Sequence, residues 1–188
     1  MSIFFHVDVS RKLRPGMEIE LGAGMISEFG KKCWKHFHRA GIKDIPRLED
    51  SQSSVKNLDK FGRRELYLEI FRTGHPELSK LDTISRLNAF FAVRSIADAK
   101  RYIARSNFPS DLPIYEVQAS GVGFEADSTW LDQEFPDDIR QYGYYYEMYW
   151  KGKEISQHPS LSVHEKRGTL IEVLFESDVT IGELVPAG

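Results

Sequence analysis

FFHVDV, residues Phe4 to Val9, places a histidine and an aspartate inside an otherwise apolar run. The alternation predicts a short strand, with Phe4, His6 and Asp8 on one face and Phe5, Val7 and Val9 on the other. Two readings of His6 follow. It lies on a solvated face or is a core histidine satisfied by a backbone partner, or it carries chemistry from a rigid strand. The rest of the chain has to decide between them.

Working outward, Pro15-Gly16 makes a turn and MEIEL, 17–21, returns as a short extended piece. ISEFGKKCWKHFHRAGI, 26–42, predicts a helix carrying Phe29, Trp34 and Phe37 and ending at Gly41. The polar stretch LEDSQSSVKN, 48–57, predicts a loop. LDKFGRRELYLEIFRTGHPEL, 58–78, is the strongest helical pattern, with Leu66, Ile70 and Phe71 at helical spacing and charges expected opposite them. The second half reads differently. RLNAFFAV, 86–93, predicts a strand, and SIADAKRYIARSN, 95–107, a short helix capped by Ser95. LPIYEVQA, TLIEVLF and VTIGELV predict further strands. GVGFEADSTWLDQEF, 121–135, reads as turn-like with aromatic anchors, and YGYYYEMYWKGKEI, 142–155, as extended through its middle. Helices early and strands late predict a single α+β domain.

Composition bounds the rest. The chain has 188 residues, 41% hydrophobic and 28% charged, enough for one sizeable core. A net charge of −3 gives no general attraction to a polyanion, although Lys31, Lys32, Lys35 and Arg39 make a local basic cluster. The single cysteine, Cys33, excludes an intramolecular disulfide and reads as a small core residue. No zinc-type spacing, phosphate-binding glycine loop, charged leader or membrane-length apolar run is present, so the expectation is a cytoplasmic protein without a metal.

The order of FFHVD, LRPGMEI, NAFFAV, PIYEV and FEADSTWLDQEF resembles the ADP-ribosyltransferase superfamily. The likeness is to the branch with a histidine in the first strand, and within it to small bacterial rifampin ADP-ribosyltransferases. It covers about half of the chain, in the first strand and residues 85–135, and leaves a helical insert at about 25–83 uncovered. The resemblance implies a mainly antiparallel ADP-ribosyltransferase-like core and NAD as co-substrate. The nicotinamide–ribose bond would be cleaved through an oxocarbenium-like ribose, as in glycoside hydrolysis.

By that resemblance His6 grips the ribose, which a neutral imidazole can do as both donor and acceptor. Phe90 stands where the family has a tyrosine, keeping the stacking ring without the hydroxyl. Tyr102 resembles the second stacking aromatic, while Phe91 reads as core. Ser85 and Arg86 open the same strand and are positioned to meet ribose or pyrophosphate, with a surface ion pair as the alternative for Arg86. For the catalytic carboxylate Asp127 is the first choice and Glu172 the second, with Glu147 further back and Glu125 a solvated loop residue. Trp130 either lines an acceptor pocket or pins its loop to the core.

The acceptor is open between nucleic acid, protein and a small molecule. Small free-standing members of the superfamily are often toxins or defence enzymes, which is an expectation of the family alone. Two other readings compete: a degenerate fold that binds NAD or ADP-ribose without turnover, and an interaction module facing an antitoxin or regulatory partner through the aromatic run.

Overall fold

The computed structural model describes residues 2–22, 24–51, 55–132, 139–158 and 168–186. Residues 52–54 of the polar stretch and 133–135 at the end of the acidic loop lie outside these. The chain mixes α and β structure around a seven-stranded sheet whose paired strands all run antiparallel. The strands are β1 (Phe4–Val7), β2 (Glu18–Ile19), β3 (Phe90–Val93), β4 (Ile114–Ala119), β5 (Phe124–Asp127), β6 (Ile171–Phe175) and β7 (Val179–Leu184). Their order across the sheet is β2-β7-β4-β1-β3-β6-β5. The first strand therefore sits at the centre, beside β3.

Four α-helices accompany the sheet among the described residues: α1 (Glu28–Arg39), α2 (Lys60–Gly74), α3 (Ile96–Arg105) and α4 (Ile139–Trp150). The first two occupy the expected insert. Each of the first three starts where an oxygen-bearing side chain can cap it. Ser27 accepts from Gly30 N–H, Asp59 from Gly62 N–H and Ser95 from Asp98 N–H. At Gly30 the backbone approach is too close for any side chain, since a Cβ there would lie 1.9 Å from Leu87 O. Ser27 also donates to Leu87 O from both its N–H and its hydroxyl. These contacts fasten α1 to the segment just before β3.

Three apolar clusters form the core. The largest joins Cys33 and Phe37 of α1, Leu66, Tyr67, Leu68 and Ile70 of α2, Trp130, and Tyr146, Tyr149 and Trp150 of α4. A second fills one face of the sheet with Phe90, Tyr115, Val117, Val173, Phe175 and Ile181. A third packs α3, through Ala99 and Ile103, on Val7, Val93 and Ile114.

Three sequence expectations are corrected. The aromatic run at 142–155 is mostly helix, because Tyr146, Tyr149 and Trp150 repeat at helical spacing and pack on α2; Tyr146 lies 5.6 Å from the Phe71 ring. Packing overrides the strand preference of tyrosine. FEAD is strand β5 rather than a turn, paired along its length with β6. The charges of α2 are not all opposite its apolar stripe, for Glu65 and Glu69 are buried with it.

Candidate functional site

β1 and β3 are paired in register only at Phe5 and Val93. Beyond that pair the place of a ladder hydrogen bond is taken by a side chain. His6 Nδ1 donates to the Phe91 carbonyl at 2.6 Å. A carbonyl can only accept, so Nδ1 holds the proton and Nε2 carries a lone pair. No described residue bonds to Nε2. The imidazole leans on Phe90 with ring centroids 4.4 Å apart. Burial lowers the His6 pKa, outweighing the Phe91 hydrogen bond and the charge of Asp8, and keeps the ring neutral. Asp8 is itself structural. Its buried carboxylate accepts from Leu13 N–H at 2.7 Å and from the N–H and hydroxyl of Ser10.

The other face of β3 holds a dense polar cluster. Arg86 Nε donates to Glu65 at 2.8 Å, and its Nη1 donates to Glu172 and, at 2.5 Å, to the Tyr149 hydroxyl. Tyr149 in turn donates to Glu172 Oε1 at 2.6 Å. Arg64 closes the far side on Glu65 at 2.7 Å. The Arg86 guanidinium also lies 4.8 Å from the Phe91 ring and 5.7 Å from Phe29. Burial opposes the Arg86 charge, but Glu172 and Glu65 outweigh it and hold its pKa well above the ordinary value. Burial likewise opposes ionisation of Glu65, which Arg86 and Arg64 overcome to lower its pKa. Tyr149 is kept a neutral phenol by its burial.

The sequence-predicted residues thus divide. His6 and Phe90 come together on one face of the sheet, and Arg86 and Glu172 on the other, the face of Phe91 and Val93. Phe91 links the two pairs, its carbonyl on His6 and its ring on Arg86. Ser85 and Arg86 do not open β3 as expected but precede it, Arg86 in a turn. Tyr102 joins neither pair by a described contact: its ring meets Phe108 edge-on at 5.9 Å and 36% of its surface is exposed, while burial and then the charge of Glu172 raise its pKa.

Four expected roles are altered by what the side chains touch. Asp127 is fully buried and accepts from three backbone N–H groups, those of Thr129, Leu170 and Ile155, at 2.8–3.0 Å. Its carboxylate is a scaffold joint. Ser85 spends its hydroxyl on Glu69 and on Leu87 N–H. Arg86 is neither a pyrophosphate clamp nor a surface ion pair, because two carboxylates already hold it in a buried setting. Trp130 is 1% exposed and donates to Lys153 O at 2.6 Å, so it is the pin rather than the pocket wall. Glu147 pairs with Lys151, and Glu125 with Arg94 in an exposed bridge.

Glu65, Arg64, Tyr149 and the face of Phe29 are not anticipated from the sequence. The available signal was Glu65 and Glu69, four residues apart and flanking the apolar stripe of α2, where a pair of buried acids needs basic partners. Among the described residues no helix is long and apolar enough to cross a membrane, and no group of three or more His, Cys, Asp or Glu could hold a metal ion. No protein-family model matches the chain, and no curated protein matches it.

Proposed function

We propose that this chain is an NAD-dependent mono-ADP-ribosyltransferase built on an ADP-ribosyltransferase-like core. The observation that carries the reading is His6: a neutral imidazole on the central strand, fixed through Nδ1, stacked on Phe90, with Nε2 open as an acceptor. A ribose hydroxyl is the donor such an acceptor fits. Rotational freedom of the ring is removed before the ligand arrives, which favours binding.

Glu172, not Asp127, is the carboxylate this reading assigns to catalysis. Its side chain is 13% exposed, whereas Asp127 has none of its surface exposed and every oxygen engaged. In the reaction the bond between ribose C1′ and nicotinamide breaks, and its electron pair leaves with nicotinamide. An acceptor nucleophile then bonds C1′ and releases its proton. Glu172 faces the positive charge that develops on the ribose, and Arg86 and Tyr149 position it. His6 and Glu172 stand on opposite faces of the sheet, so this reading requires β1 and β3 to part around the ribose when NAD binds.

A second reading is favoured by a specific contact. Glu172 is already partnered by Arg86, which offsets its charge, and Phe90 lacks a hydroxyl. A chain so built would bind NAD or ADP-ribose without turnover. Purified protein incubated with NAD labelled in the adenylate half, alone and with cell lysate, separates the two. Nicotinamide release, with label on a macromolecule sensitive to nuclease or protease, supports transfer and names the acceptor class. Binding without release selects the second reading, and no binding overturns both.

A further inference from the structure

Outside this site, the outer side of α1 forms an open groove of about 670 Å³. It is lined by Lys31, Lys32, Lys35 and Lys43 together with Trp34 and Glu28. We infer that this groove binds single-stranded nucleic acid, with the lysines on phosphates and Trp34 under a base. Four lysines face one glutamate there, in a chain whose net charge is −3, so the positive charge is local rather than general. Glu28 is engaged by Lys31 at 2.6 Å. Its carboxyl is held below the ordinary range by that hydrogen bond and by the charges of Lys31, Lys12 and Lys35.

Trp34 supplies what a simple anion patch lacks. It is half-buried, held by Phe37 at 5.3 Å and His38 at 5.4 Å, and still lines the groove. A fixed aromatic ring between cations is the arrangement that stacks an unpaired base while the backbone runs along the lysines. The interior of a duplex has no free base face to offer it, and polyglutamate has no ring. The inference stands apart from the NAD reading and is tested without NAD.

Trp130 and Trp150 are buried, so quenching of tryptophan fluorescence by a quencher on the surface reports Trp34. Short oligothymidylate should quench the emission and bind with a salt slope of about −2, as expected when roughly three phosphates are neutralised on a single strand. Lys35→Glu and Lys43→Glu, two changes at exposed positions, should each weaken binding about tenfold; circular dichroism checks that both remain folded. Equal binding of polyglutamate without quenching would overturn the inference in favour of an acidic protein partner. Tighter binding of duplex, or lysine variants that bind as well as the parent, would overturn it too.

Discussion

Asp127 and Glu172 lie on neighbouring strands, with Ala126 opposite Glu172 in register, yet their surroundings differ in kind. Asp127 is met by backbone N–H groups from Thr129, Ile155 and Leu170, drawing three chain segments together. Glu172 is met by side chains, Arg86 and Tyr149, and keeps 13% of its side chain exposed. Backbone donors tie Asp127 into the architecture, while the donors to Glu172 are side chains that single substitutions can remove. The same contrast separates Asp8, saturated by its own turn, from His6, which keeps one nitrogen open.

The comparison breaks most visibly at the base of the Glu172 cluster. Glu65→Ala strips Arg86 and Arg64 of a fully buried partner and should cost about 3–5 kcal/mol in urea unfolding. Glu65 has a lowered pKa in the fold, so its contribution is complete above the ordinary glutamate range and is lost as pH falls through the lowered value. Parent and variant stabilities should therefore converge on acidification. Asp127→Asn comes next. It turns one acceptor oxygen into a donor facing an N–H and should cost about 1–3 kcal/mol, with NAD affinity of the folded protein unchanged in calorimetry. The smallest effect is at His6. His6→Ala removes one available acceptor and should weaken NAD by about 1 kcal/mol. Because burial lowers the His6 pKa, parental affinity should stay flat through neutral pH and fall only below the ordinary histidine range.

Much of the sheet was legible because strands β1, β3, β4, β6 and β7 show apolar runs or alternation bounded by turn residues. Helix α4 was not, since tyrosines prefer strands in isolation and only the packing of Tyr146, Tyr149 and Trp150 on α2 reveals the helical spacing. At the site, the nearness of His6 and Phe90 was implied by the family resemblance, since alternation along each strand gives faces and not which strands are neighbours. The choice between Asp127 and Glu172 did not. It depends mostly on donors 23 to 86 positions away along the chain, which a local motif does not encode.

The most direct measurement is single-turnover release of nicotinamide from NAD by the parent, Asp127→Asn and Glu172→Gln, with NAD affinity and folded fraction measured on each. Glu172→Gln keeps the shape of the side chain and removes its charge. Its rate should fall by roughly 10²–10³ while NAD stays bound, because the lost interaction exists mainly in the transition state. Asp127→Asn should release nicotinamide near the parental rate per folded molecule. A parental rate in Glu172→Gln, with or without a loss in Asp127→Asn, would contradict the assignment.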